Sequence, residues 1–345
     1  MVGGAARATE PLVPEATIPL GGISGRIDHL AYDSKRGRLV VAELGNNSMS
    51  IVDLDGRAVV RRITGLNTPQ GVAYLPATDA IYLASAGDGS VRRYKADDFT
   101  QTESTDLGDD ADNIRIDRAT SQVIVGYGGG GLAVLDGVAP GKPASKSDTQ
   151  SGNARGLLSG GKGSSRGRDK IKGASAVYQL PVHPEGFQLD PRGQRLFVNL
   201  ASLGEVGVVD RTSGKMIARW HAPGLASNFP MAIDDSGQRL FVVYRRPSRL
   251  AVFAAQSGAV AATLEVCADP DDIFSDVRRR RLYVTCGEGF VDVLEQDTVG
   301  FRRVGRVTSG RGARTGLYVP ERDRLYVAVP AASGQPATIL VFRPT

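Results

Sequence analysis

The chain has 345 residues, 43 of them Gly and only 6% aromatic, with a net charge of +5. No run of about 18 apolar residues occurs, which excludes a membrane-spanning helix. No long segment carries helical periodicity; short apolar runs bounded by Gly, Asp and Asn dominate, and these point to an all-β chain.

The chain opens with Ala6-Arg7-Ala8 followed by the polar Thr9-Glu10-Pro11. That is how a signal-peptidase site ends, although the charged and apolar regions that usually lead into one do not precede it. Residues 1–15 are expected to be disordered, either a signal-peptide remnant or a chance Ala-rich start. Ala16–Leu20 reads as a strand without neighbours in sequence. Four runs follow, Ile27–Tyr32, Leu39–Ala42, Met49–Leu54 and Val59–Ile63. The pattern then repeats. Its second run recurs as Ile81-Tyr82-Leu83, Val123-Ile124-Val125, Leu196-Phe197-Val198, Leu240-Phe241-Val242, Leu282-Tyr283-Val284 and Leu325-Tyr326-Val327. Four short strands recurring every 42 residues or so are the signature of a β-propeller. Seven copies predict seven blades of four antiparallel strands, numbered A to D outward from the axis. Blade seven lacks a fourth strand at the C-terminus, so the N-terminal strand is predicted to supply it and close the ring. Residues 16–345 then form a single propeller, where length alone suggests two domains.

The repeat can be followed at one position, the start of each first strand. Asp28, Gln70 and Asp112 are 42 residues apart, and Glu185, Phe229, Asp271 and Arg314 continue the series. Only the step from Asp112 to Glu185 is wrong: it is 73 residues. The excess is a Gly/Ser-rich insertion at 139–176, in the loop between strands C and D of blade three. It holds eight Lys and Arg against two Asp, so it carries the chain's positive charge and leaves the rest near neutral. Such a composition predicts a disordered surface loop rather than a specific nucleic-acid site.

Chemistry is expected where the first strands begin, at the top of the channel. Asp28, His29, Gln70, Asp112, Asn113, Glu185, Asn228, Asp271, Asp272 and Arg314 converge there, one or two per blade, as ligand-binding residues. Asp28, Asp112, Glu185 and Asp271 are the metal-ligand candidates, for Ca²⁺ or Mn²⁺. Arg314 or a bound cation is expected to balance those carboxylates. His183 and His221 fall near the same face. No zinc-type His spacing, haem-attachment motif or nucleophile elbow occurs, and no cofactor is predicted. Gly126 to Gly131 lacks the Lys-Ser/Thr of a phosphate loop and reads as a B–C turn. Cys267 and Cys286 end strands of neighbouring blades on the same face, so either a disulfide joins them or both are buried thiols. A disulfide would suit an oxidising compartment.

The runs RLFVNLASLGEVGVVDRTSGKMIARW from Arg195, RLYVTCGEGFVDVLEQD from Arg281 and IYLASAGDGSVRRYKADDF from Ile81 resemble YVTN repeats of the YncE-like, surface-layer-like propellers. The resemblance spans Ile27 to Phe342 apart from the insertion. It implies seven blades and an exported, periplasmic or secreted protein. The architecture is also similar to the propeller subunits of quinoprotein amine dehydrogenases. Lactonases of the gluconolactonase type hold a channel ion with Glu, Asn and Asp, as Glu185, Asn113 and Asp271 would, but on six blades. The sequence therefore predicts an exported, monomeric, non-enzymatic propeller that binds a small molecule or protein partner at the channel mouth. A metal-dependent hydrolase or lyase at the same mouth is the alternative.

Overall fold

In a computed structural model, residues 10–137, 171–298, 300–332 and 334–345 are described. They form seven four-stranded antiparallel sheets arranged as a ring. Each sheet is a run of consecutive hairpins, because the connections within a blade are short and rich in Gly and Asp. Blade one, for example, comprises Leu30–Asp33, Arg38–Glu43, Ser48–Asp53 and Ala58–Thr64. Among the described residues the helical elements are two single 3₁₀ turns, Leu44–Asn46 and Pro76–Thr78.

The last blade closes the ring as the repeat requires. Its sheet runs from Gly316–Val319 through Arg324–Val329 and Ala337–Pro344 to the N-terminal strand Leu12–Gly21. That strand is longer than the expected Ala16–Leu20, and pairing runs from Leu12↔Pro344 to Gly21↔Ala337. Leu12 to Glu15, expected to be disordered, are therefore ordered, and Leu12 is fully buried against blade six. The expected insertion shrinks at its C-terminal end, since Ala174–Gln179 is the D strand of blade three. Residues 139–170 of it, and residues 1–9, lie outside the described residues.

The core is divided into seven apolar layers, each filled from two adjacent blades. The B strands supply the largest share of it. Leu39 to Ala42, Leu196 to Val198 and Leu240 to Val243 are almost wholly buried. A continuous apolar run is what a strand covered on both faces requires. On the bottom face, charges link blades. Arg36 bonds Asp33 of its own blade at 3.0 Å and Asp79 of blade two at 2.7 Å. Arg279 repeats this with Asp276 at 3.0 Å and Asp323 of blade seven at 2.8 Å. Asp33 and Asp276 are each 1% exposed, so the bidentate arginine is what keeps a buried carboxylate compensated. Cys267 and Cys286 are joined by a disulfide with a Cα separation of 5.9 Å, linking the end of blade five to blade six.

Candidate functional site

The residues that open the A strands are set by one recurring backbone device. Asp28, Asp112 and Glu185 each donate their N–H to a B-strand carbonyl, at 2.8, 2.9 and 3.0 Å. In blades two, five and six the same place is a bulge, between Pro69 and Val72, Asn228 and Met231, and Pro270 and Asp272. Bulges re-aim side chains, and here they tip one residue per blade toward the axis. The preceding loops turn through left-handed residues, Thr68, Asp110, Ser227 and Asp269, with φ of 51°, 39°, 61° and 57°. Non-glycine residues in that region store strain, which concentrates at functional sites. Blades also crowd at this level: a Cβ on Gly71 would lie 2.0 Å from the Asp112 carbonyl oxygen.

Within the rim lies a channel of about 830 Å³, walled at its mouth by Arg26, Asp28, His29, Gln70, Asp110, Asp112, Asn113, His183, Glu185, Arg245, Asp271 and Asp272. Eight of the ten residues expected at the mouth are in that wall. Asn228 is not: it is fully buried between blades four and five, donating to Asn199 Oδ1 at 2.7 Å and the Glu205 carbonyl at 2.8 Å. Arg314 is not either, because it pairs with Asp269 at 2.9 Å. It reaches Asp28 only through longer-range attraction.

The nearer counter-charges come from two arginines that the repeat does not mark. Arg26 lies 2.8 Å from Asp28 and 3.8 Å from Asp271. Arg245 bonds Asp271 and the Pro270 carbonyl, and its guanidinium lies 3.6 Å from the Phe229 ring centroid. Its strand, Arg239–Arg246, is the only eight-residue B strand; the other six B strands have six residues. That extra length carries Arg245 over the mouth.

His183 reaches the site from the loop between blades three and four. Its Nδ1 is 2.7 Å from the Gly128 carbonyl, in the turn of the Gly-rich segment. A Cβ on neighbouring Gly130 would strike the Leu180 carbonyl at 2.3 Å, so that turn must be glycine to lie against the loop. The expected structural role of Gly126 to Gly131 thus extends to seating His183. The ring's other nitrogen, Nε2, lies 3.9 Å from Asp112 Oδ2. Donor atoms of Asp112, His183 and Glu185 fall within 4.8 Å of one another. His29 lies on the other side, 3.8 Å from Asp28 and 3.7 Å from Asp272.

Burial dominates the protonation of this ring. It pushes Asp28 up to about 7 despite Arg26, with Asp112 adding to the rise. Glu185 is pushed up to about 7 by burial and then by Asp112. Asp272 is pushed up to about 7, and Asp271 to about 6 against the pull of Arg245. Burial alone would lower His183, but Asp112, the Gly128 carbonyl, Asp110 and Glu185 outweigh it and raise it to about 9. Six carboxyl groups thus face Arg26, Arg245 and two histidines in a partly desolvated mouth. Such a site gains electrostatically by admitting positive charge.

No protein-family model matches the chain, and a comparison with curated proteins finds no significant relative. Solved structures share its fold. A chain of hydrazine synthase from Kuenenia stuttgartiensis is 15% identical with a TM-score of 0.72, covering 98% of both chains. A chain of a mitotic checkpoint complex is 12% identical with a TM-score of 0.73, covering 99% of this chain and 95% of that one.

Proposed function

We infer that the channel mouth, and not the seven-bladed fold, sets what this protein does, since two solved structures with the same fold carry unrelated names. We propose that this protein is an exported binding protein that takes a cationic group, from a small molecule or a protein partner, into the mouth of its channel. The observation that carries this reading is the convergence of Asp28, Asp112, Glu185, Asp271 and Asp272 on one channel, with burial raising four of them. A bound cation stabilises their ionised forms. The disulfide supports an oxidising compartment. The test is calorimetric titration with divalent ions and with short diamines, on wild type and on Asp28→Asn with Asp271→Asn. Saturable binding that weakens in the double variant is expected. Absence of binding by both ligand classes, or equal binding by the variant, defeats the reading.

A metal-dependent hydrolase or lyase is the second reading, favoured by the proximity of Asp112, His183 and Glu185. Metal-dependent turnover of a panel of lactones and esters would support it, and no turnover above the metal-only control would remove it.

A further inference from the structure

One corner of the mouth differs chemically from the rest. The Asp28, Asp271 and Asp272 side has arginine and backbone partners: Arg26, Arg245 and the Gly316 N–H, which donates to Asp272 at 3.0 Å. The Glu185 carboxylate receives no hydrogen bond from any described residue. Beside it, the histidine is held in a definite state. A carbonyl oxygen can only accept, so the 2.7 Å contact with Gly128 places the proton on His183 Nδ1. A metal ion that displaces the Nε2 proton then meets a lone pair facing Asp112 and Glu185. A histidine whose outer nitrogen donates to a carbonyl while its inner nitrogen faces carboxylates is the arrangement of a metal ligand with its supporting shell. A separate observation agrees. Asn113 is 4% exposed and lines the same channel, and its Oδ1 accepts no hydrogen bond. Asp271 Oδ2, across the channel, is also buried without a hydrogen-bond donor.

We propose that Asp112, His183 and Glu185 bind one divalent transition-metal ion through His183 Nε2 and a carboxylate oxygen of each acid. The inference rests on the reading of the mouth as a cation site and specifies its occupant. Two ligands of a tetrahedral ion, each about 2.1 Å away, lie about 3.4 Å apart. The 3.9 Å between His183 Nε2 and Asp112 Oδ2 needs to close by only about half an ångström, within the reach of side-chain rotation. An imidazole among the ligands selects Mn²⁺, Fe²⁺ or Zn²⁺ over Ca²⁺ and Mg²⁺, which prefer oxygen alone. Three protein ligands leave a position open to water or to a ligand entering down the channel. Asn113 Oδ1 supplies a neutral acceptor at that wall.

Chelator-stripped full-length protein is titrated with Zn²⁺, Mn²⁺ and Ca²⁺, as wild type, His183→Gln and Glu185→Gln. Melting of each metal-free variant is measured alongside. Wild type is expected to bind one ion per chain, with Zn²⁺ or Mn²⁺ ahead of Ca²⁺, and each variant to lose at least about 10-fold in affinity. Co²⁺ serves as a spectroscopic probe: wild type is expected to develop visible ligand-field bands that Glu185→Gln reduces, so one variant suffices if the other fails to fold. No stoichiometric ion in wild type, unchanged affinity in a folded variant, or preference for Ca²⁺ overturns the site. If diamines still bind at Asp28 and Asp271, only the metal inference falls. If they do not, the cationic-mouth reading falls with it.

Discussion

Replacing Glu185 by Gln should raise stability, the opposite of an ordinary loss of a charge, and the size of the gain depends on pH. In the folded protein this carboxyl is raised from 4.5 to about 7, first by burial and then by Asp112. Between those values the native state holds a proton that the unfolded chain has released. The native state therefore binds more protons than the unfolded one, and stability falls as pH rises. Its contribution is fully present below about 4.5 and lost as pH passes 7. A shift of that size corresponds to roughly 3 kcal/mol at pH 8. Asp28, Asp271 and Asp272 are raised for the same reason and titrate as a coupled set, so their effects do not simply add. His183, raised to about 9, gives stability present below its ordinary value and lost as pH climbs through 9. The opposite limb comes from the lower face. Asp190 and Asp234 are held below the usual carboxylate range, where Arg and backbone donors outweigh burial, and Arg279 holds Asp323 low. Their contribution is lost as pH falls through the acid range. Stability should peak near pH 5. Thermal melting in a chelator, from pH 4 to 9, should show wild type declining from pH 5 to 8. Glu185→Gln should match wild type at pH 5 and exceed it at pH 8 by up to about 3 kcal/mol, or about 4 °C. Part of that gain is offset because His183 loses a neighbouring carboxylate. A wild-type profile that is flat or rising between pH 5 and 8, or a variant less stable than wild type at pH 8, would refute the reasoning.

Three further outcomes follow from the fold. Arg279→Ala removes the partner of the buried Asp276 and the tie to blade seven, and should cost about 3 kcal/mol by denaturant titration; a loss under 0.5 kcal/mol would show the link is dispensable. Reducing the Cys267–Cys286 bridge, which spans 19 residues, should lower stability by about 3 kcal/mol, while an unchanged melting temperature under reductant would contradict a stabilising role. Replacing residues 138–170 by a short Gly-rich linker should cost less than about 1 kcal/mol, since strands C and D of blade three already pair from Gly131↔Gln179 to Leu135↔Ala174; loss of cooperative unfolding would show otherwise.

The blades were legible because each is one hairpin-built unit whose turn chemistry and B-strand run recur at a fixed spacing. Ring closure was legible for the same reason: blade seven ran out of chain. The carboxylate ring could be read at one position of the repeat, where Asp28, Asp112, Glu185 and Asp271 fall. What the repeat does not carry was hidden. Arg26 and Arg245 occupy positions with no counterpart in other blades, and Arg245 depends on one B strand being two residues longer. His183 is two residues from Glu185 and was visible as a nearby polar group, but its tie to Gly128 joins segments 55 residues apart. Asn228 and Arg314 show the limit of positional reading. A bulge shifts alternation by one residue, so Asn228 turns into the interface between blades while Phe229 faces the channel. Arg314 instead answers the nearby Asp269.

On this reading the mouth takes up positive charge in exchange for protons. Titrating wild type at pH 7 with Mn²⁺, and separately with 1,4-diaminobutane, in buffers of different ionisation enthalpy measures that exchange. With four carboxyls raised to about 6 or 7, saturable binding should release about half a proton or more per cation. Saturable binding with no net proton release, or no saturable heat from either cation, would contradict it.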